Sequence, residues 1–325
     1  MKYIFGPVPS RRLGRSLGID PIPLKTCNWN CVYCQLGRTM PVTNERKNYF
    51  PVQEILDELD SVLANTQADQ IDWITIVGSG EPTLHTDIGK IIRGIKQQTD
   101  IPIAVITNGS LLHSAQVQTD LLPADAVLPS LDAGHVDLYR RINRPHPANP
   151  YDQYIEGLKQ FREMYEGKFW VEVMLIKGQN DNPEELQAIA SVLKIIDPDE
   201  VHISLPTRPP AETWVEPPGE DRLQQAINIF GERTKILYAV QGKYGMEDKC
   251  PEARIITEIA SRHPIPDEEI AIIFNHLSEA ETHALLKELQ SMDLLQLVER
   301  NNKMFWVAGG ANFPEDSNLH HRVEA

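Results

Sequence analysis

Hydrophobic residues in the first two thirds of the chain alternate between two patterns. Apolar positions three and four residues apart indicate amphipathic helices, and short unbroken apolar runs between them indicate buried strands. The helical pattern predicts helices over residues 52–63, 88–95, 112–121, 151–165 and 183–194. The apolar runs predict strands over residues 16–21, 73–77, 103–106, 126–131, 169–176 and 201–205.

The alternation of strands and helices predicts an α/β fold whose parallel sheet is covered by helices. The six predicted units are too few to close an eight-stranded barrel, so we expect a partial (β/α)6 TIM-like barrel. Functional side chains of such folds lie at the carboxyl ends of the strands. Polar residues at those ends are therefore the candidates for chemistry.

The pattern changes after residue 205. Residues 206–221 contain five prolines, a lone helix is predicted over 220–232, and residues 241–251 have the composition of a linker. Beyond it, helices are predicted over 252–262, 266–275 and 278–291, and strands over 297–300 and 304–308. This order is that of a small winged-helix-like domain. We expect a barrel over 1–240, the linker, the winged-helix-like domain over 252–308, and a disordered tail over 309–325.

Composition excludes several classes of protein. The 325 residues have a mean hydropathy of -0.33, no apolar run of membrane-spanning length, and no signal peptide pattern, so we expect a cytoplasmic protein without membrane contact. The net charge is -15, yet residues 1–48 hold eight Lys/Arg against two Asp/Glu, a net of +6. Residues 251–325 hold six Lys/Arg against thirteen Asp/Glu, a net of -7, so we expect no DNA binding.

Three of the four cysteines lie close together in the sequence. Cys27, Cys31 and Cys34 fall within eight residues, and Cys250 stands alone. This spacing excludes a disulfide scaffold and favours a metal or redox site in a reducing compartment. Three thiolates can each bind one iron of a 4Fe–4S cluster and leave the fourth iron open for a substrate or cofactor. The alternatives are a zinc site, which needs a fourth nearby ligand, and three buried cysteines by chance. Cys250 is interpreted as a lone thiol.

The segment Cys27-Asn-Trp-Asn-Cys31-Val-Tyr33-Cys34 resembles the C-x3-C-x2-C signature of radical S-adenosylmethionine (SAM) enzymes. The resemblance implies that SAM chelates the open iron and that the reduced cluster cleaves SAM to a 5′-deoxyadenosyl radical. The segment FGPVPSRRLGRSLGID over residues 5–20 is similar to a subgroup of iron–sulfur oxidoreductases. That subgroup is distantly related to the wyosine-forming tRNA enzymes.

The resemblance also implies residues that bind SAM. Gly78, Ser79, Gly80 and Glu81 stand where the superfamily has a GGE-type turn that binds the methionyl amine, with Ser79 replacing a glycine. Glycines allow close backbone approach, and a carboxylate can accept from an ammonium. Further contacts with the cofactor are implied for Tyr33, Thr107, Asn108, Ser130, Asp132 and Lys177. The alternative for each is an ordinary turn residue or a polar group that closes the sheet.

Arginines are candidates for binding an anion. Arg11, Arg12 and Arg208, together with Arg15, Arg140, Arg141 and Arg144, are expected at the barrel mouth. Their guanidinium groups can hold the SAM carboxylate or an anionic substrate in bidentate fashion. The alternative is a set of solvated surface charges paired with acids.

Three functions remain open at this point. The first is a radical SAM enzyme that uses a 4Fe–4S cluster, SAM and an external electron donor of flavodoxin or ferredoxin type to abstract a hydrogen atom from an unidentified substrate. Anionic compounds are candidate substrates. The second is a tRNA-modifying enzyme of wyosine type, with tRNA as partner and the basic N-terminal segment as its RNA-binding face. The third is a redox-sensing regulator. The SAM-type turns argue against it, because redox sensing needs no SAM pocket.

Overall fold

The computed structural model describes residues 2–66, 70–237, 252–274, 277–300 and 302–313. The predicted linker over 241–251, Cys250 and most of the predicted tail lie outside these residues. Residues 309–313 were expected to belong to a disordered tail, and this is wrong, because Ala311 and Phe313 are buried in an apolar cluster with Phe305 and Val307. Within the described residues, no helix combines the length and apolar character that crossing a membrane requires.

One sheet of eight strands forms the larger part of the described structure. Its strands are β1 (Ile4–Ser10), β2 (Gly14–Ile19), β3 (Trp73–Ile76), β4 (Ile103–Thr107), β5 (Ala126–Pro129), β6 (Lys168–Met174), β7 (Glu200–Ser204) and β8 (Thr234–Ile236). They follow one another in sequence order; β2 to β8 are parallel and β1 is an antiparallel edge strand. The predicted parallel α/β sheet is confirmed.

Helices connect the parallel strands and cover one face of the sheet. They are α1 (Val52–Asn65), α2 (Ile88–Gln98), α3 (Ala115–Leu121), α4 (Val136–Ile142), α5 (Tyr151–Met164), α6 (Pro183–Ile196) and α7 (Glu220–Phe230). Alternate strand residues such as Val105, Val127 and Val171 pack in the same core as the helix residues. This burial follows from the period of two in strands and of 3.6 in helices.

The opposite, inner face of the sheet is covered in part by the turn between β1 and β2. Leu13 in that turn is buried against Ala104, Ala126, Leu128 and Trp170, which point away from the helices. The turn therefore lies inside the curl of the sheet, and this places its arginines beside the inner face.

Residues 252–313 form a second unit, which we call the C-terminal module. It contains α8 (Glu252–Ala260), β9 (Ile265–Pro266), α9 (Asp267–Ile273), α10 (Glu279–Ser291), β10 (Leu295–Arg300) and β11 (Lys303–Ala308), with sheet order β10-β11-β9. Helix α10 begins with a capping box between Ser278 and Glu281, as the sequence predicts. The winged-helix assignment and the division into domains stay predictions.

Candidate active site

The three clustered cysteines lie on a loop that follows β2. The loop is fixed by backbone hydrogen bonds to the end of α4, including one of 2.9 Å from Val32 N to Ile142 O. Trp29 in the loop is buried and packs edge-on against Tyr139 and Tyr154. The protein therefore holds the loop in one conformation by packing at its centre.

Each thiol faces a nitrogen donor. Asn108 Nδ2 lies 3.9 Å from Cys27 Sγ, Asn143 Nδ2 lies 3.8 Å from Cys31 Sγ, and Lys25 Nζ lies 3.3 Å from Cys34 Sγ. Burial, followed by the charge of Glu81, raises the pKa of Cys27 to about 12. Burial, followed by the charge of Cys27, also raises the pKa of Cys31. Thiolates in this buried position are stable only beside positive charge, and a bound metal centre would supply that charge.

The donor set is consistent with an iron–sulfur cluster. Among the described residues, no group of three His, Cys, Asp or Glu side chains is arranged to hold a single metal ion. An iron–sulfur cluster does not require the thiolates to meet at one metal ion, because each thiolate binds its own iron. Hydrogen-bond donors aimed at the sulfurs are a feature by which proteins adjust such clusters. Cys27, Cys31 and Cys34 are thus the residues that would hold it.

The predicted SAM turn follows β3 and lies close to the cysteine loop. A Cβ atom at Gly80 would lie 1.9 Å from the carbonyl oxygen of Thr26, so only glycine fits there. The Glu81 amide donates to the same oxygen at 2.9 Å. Ser79 donates through both its amide and its hydroxyl to the buried carboxylate of Asp20. Asp20, which the sequence analysis missed, therefore positions this turn.

Glu81 links the turn after β3 to the turn after β4. Its buried carboxylate accepts hydrogen bonds from the Thr83 amide at 3.0 Å, the Thr107 hydroxyl at 2.6 Å and the Asn108 amide at 2.7 Å. Burial is the main cause that raises the pKa of Glu81, and these bonds oppose it. The Glu81 carboxylate therefore connects two predicted SAM-binding segments by hydrogen bonds. Its direct contact with the SAM amine stays a prediction.

A second buried carboxylate holds the residues next to the cysteines. Asp132 accepts from the Tyr33 hydroxyl at 2.5 Å, from Asn143 Nδ2 at 2.6 Å and from the Met174 amide at 2.8 Å. Burial raises the pKa of Asp132 to about 6. Asn143 contacts both this carboxylate and Cys31, and no local sequence signal indicates it, because it follows a short helix that the sequence analysis did not predict.

Two further predicted residues have different surroundings. The Ser130 amide donates to Thr107 O at 3.2 Å, so Ser130 lies beside the same turn. Lys177 was expected to contact the cofactor, and this stays a prediction. Its side chain is 62% exposed and forms an ion pair with Glu216 at 2.8 Å, because its long, flexible stem extends to the surface.

The structure brings three of the predicted arginines together. The Arg12 Nε atom lies 3.0 Å from Glu172 Oε1, Arg11 Nη2 donates to the Thr207 hydroxyl at 2.7 Å, and Arg208 Nη1 donates to Gln35 Oε1 at 3.1 Å. The expectation that Arg15 lies at the same mouth is wrong. Arg15 is the second residue of β2 and pairs with Asp72 just before β3, which places it at the amino ends of the parallel strands.

The other arginines expected at the mouth are also accounted for. Arg144 forms an ion pair with Glu212, and the Arg140 and Arg141 side chains are exposed on α4. We find no common site that joins these three residues to Arg11, Arg12 and Arg208 among the described contacts.

Comparisons with known proteins agree with this geometry. A family model described as the radical SAM superfamily matches residues 22–190, and the chain belongs to this superfamily, whose members are enzymes that bind SAM and an iron–sulfur cluster. Within it, the chain belongs to the UPF0026 family. It is 34% identical over 312 residues to a UPF0026 protein of Methanocaldococcus jannaschii, covering 94% of this chain and 96% of that protein.

Two other similarities differ in extent. The chain is 42% identical over 292 residues to the protein named GTPase Obg of Brachyspira hyodysenteriae, covering 89% of this chain and 42% of that protein. It therefore spans less than half of that relative. A radical SAM methyltransferase from Sphaerobacter thermophilus has a similar fold, with a TM-score of 0.53, 16% identity, and coverage of 68% of this chain and 66% of that one.

Proposed function

We propose that the protein is a radical SAM enzyme in which Cys27, Cys31 and Cys34 hold a 4Fe–4S cluster with one open iron. The observation that carries the proposal is the direct bracing of the cysteine loop against the turns after β3 and β4. When bound and reduced by an external donor of flavodoxin or ferredoxin type, the cluster supplies the electron that cleaves SAM to a radical able to abstract a hydrogen atom.

The protein's own residues have positioning roles in this proposal. Asp20 and Glu81 hold the turn over 78–82 close to the cysteine loop, so that its backbone is available to SAM. Asp132 fixes Tyr33 and Asn143 on the other side of the loop. Rigid placement of this kind supplies orientation, while the cofactor supplies the difficult chemistry.

The inner face of the sheet is the proposed location of the substrate. Glu172, His202 and Ser204 bring polar groups to that face on β6 and β7. Glu172 accepts hydrogen bonds from both Arg12 and the Ser204 hydroxyl. Substrate sites of barrel-like folds lie at this end. The substrate is unidentified, and the arginines favour an anionic one.

A tRNA substrate is the second candidate, and the ion pairs argue against it. Six of the eight basic residues in the segment 1–48 pair with carboxylates: Lys2, Arg12, Arg15, Arg38, Arg46 and Lys47. Charge that is neutralised within the protein contributes little to phosphate binding. This favours a small substrate over RNA.

The third candidate, a redox-sensing regulator, has less support than either enzyme, because redox sensing needs no SAM-type turns.

The test is SAM cleavage by the anaerobically reconstituted protein. With dithionite and SAM, wild type should form 5′-deoxyadenosine, and Cys31→Ala should form none because one cluster ligand is missing. Cys250→Ala is the matched control and should keep wild-type activity. Full SAM cleavage by Cys31→Ala would contradict the proposal.

A further inference from the structure

Four arginines and a histidine converge beside the cysteine loop, and we call this set the arginine cluster: Arg11, Arg12, Arg208, Arg262 and His263. Arg11 and Arg12 come from the turn between β1 and β2, Arg208 from the loop after β7, and Arg262 and His263 from the C-terminal module. Gln35, directly after Cys34, joins the parts, because its Nε2 lies 3.2 Å from both Arg262 O and His263 Nδ1.

Arg12 and Arg262 are each paired with a buried acid. Arg12 pairs with Glu172, and Arg262 Nε lies 3.3 Å from Asp20 Oδ2. Arg11 is different, because the Thr207 hydroxyl is its one hydrogen-bond partner and no carboxylate pairs with it among the described residues. Burial, then the charges of Arg208 and Arg12, lower the pKa of Arg11 to about 10. A guanidinium held among like charges costs stability unless an anion joins it.

His263 adds an uncharged donor to the cluster. Its Nδ1 lies 3.2 Å from Gln35 Nε2 and 3.2 Å from Arg208 Nη1, and both of these nitrogens are donors. Nδ1 must therefore accept, and the neutral ring carries its proton on Nε2. Within the described part of the chain, Nε2 has no hydrogen-bond partner, so its proton is available to a ligand.

Arg208 and Thr207, the hydrogen-bond partner of Arg11, lie away from the predicted SAM segments in the sheet order. Those segments follow β3, β4 and β5, whereas Thr207 and Arg208 follow β7, two places beyond β5 and four beyond β3 in the sheet order. The cluster nevertheless adjoins the cysteine loop through Gln35. An anion bound by the arginine cluster would place a substrate, rather than SAM, beside the cysteine loop.

We propose that Arg11, Arg208 and His263 bind an anionic group of the substrate, a carboxylate or a phosphate, so that the C-terminal module supplies part of the substrate site. Guanidinium groups match both anions in bidentate geometry. The inference rests on the proposed function, because it assigns a substrate class to the same site. It also assigns the C-terminal module a role in substrate binding, which is a different role from DNA binding.

The test is the melting temperature of the full-length reconstituted protein without SAM or reductant. Inorganic phosphate and succinate are added in separate series, and sodium chloride at equal ionic strength corrects for screening. Wild type should gain about 4 °C at an anion concentration about a hundredfold above the dissociation constant. A gain with phosphate alone identifies a phosphate site, and a gain with succinate alone identifies a carboxylate site.

Arg11→Gln should lose this gain and, without anion, should melt no lower than wild type, because a like charge has been removed. Arg141→Gln removes an exposed arginine from α4 and should keep the full gain. Equal gains in wild type and Arg11→Gln, or no gain above sodium chloride, would overturn the proposal. Because the readout needs no SAM cleavage, failure to form 5′-deoxyadenosine would count against the proposed function alone.

Discussion

Individual buried polar side chains fix the loops of the candidate site. Asp20, Glu81 and Asp132 each accept at least three hydrogen bonds from loop residues and strand ends, and all three are buried. A satisfied buried carboxylate makes a loop rigid, because releasing any one donor leaves a polar group without a partner. The candidate active site is therefore held by side chains that need not touch the reactants.

Gly80 offers the sharpest test at this scale. Gly80→Ala should destabilise the protein by about 1–3 kcal/mol, because its Cβ would meet the Thr26 carbonyl oxygen at 1.9 Å. Gly219→Ala is the control, since a Cβ there meets nothing within 4 Å, and it should change stability by no more than about 0.5 kcal/mol. Denaturant unfolding measures both variants. Equal effects of the two substitutions would show that the close approach at Gly80 has no importance.

At the scale of elements, the strands with strong apolar runs were predictable and the weak ones were not. The six strands predicted for the barrel are all present, because each is a run of mostly buried residues. β1 was missed because two prolines interrupt Ile4–Ser10, and such a strand is tolerated only at the edge, where it lies. β8 (Thr234–Ile236) and α4 (Val136–Ile142) were missed because they are short. A strand of three residues and a helix of seven residues show no clear hydrophobic periodicity.

The same distinction applies to the candidate site. The cysteine loop and the turns after β3 and β4 are local motifs, so the sequence could indicate them. Asp20, Asn143 and His263 act through partners far away in the chain, such as Ser79, Cys31 and Arg208. Arg15 was misplaced because sequence position alone does not show which end of the sheet a residue occupies.

At the scale of the whole molecule, the C-terminal module contacts the barrel at the mouth of the candidate site. Gly37 pairs with Asn312, Gln35 with Arg262, and Asp20 with Arg262. The last of these contacts reaches the carboxylate that holds Ser79. The module is thereby linked to the predicted SAM turn as well as to the arginine cluster.

A double-mutant cycle measures this link. Asp20→Asn and Arg262→Gln should show a coupling free energy of about 1–3 kcal/mol, because the side chains are only 6% and 10% exposed. The control pair Glu268→Gln and Lys303→Gln lies within the module, is 62% and 59% exposed, and should couple by less than about 1 kcal/mol. Additive effects of the first pair would show that this contact does not join the module to the barrel.

The central claim is that the cluster held by Cys27, Cys31 and Cys34 keeps one iron open for SAM. The most direct measurement is the electron paramagnetic resonance spectrum of the reconstituted, dithionite-reduced protein before and after addition of SAM. The account predicts a cluster signal that changes on addition of SAM in wild type and in Cys250→Ala, and no such change in Cys31→Ala. A reduced cluster whose signal is the same with and without SAM would contradict it.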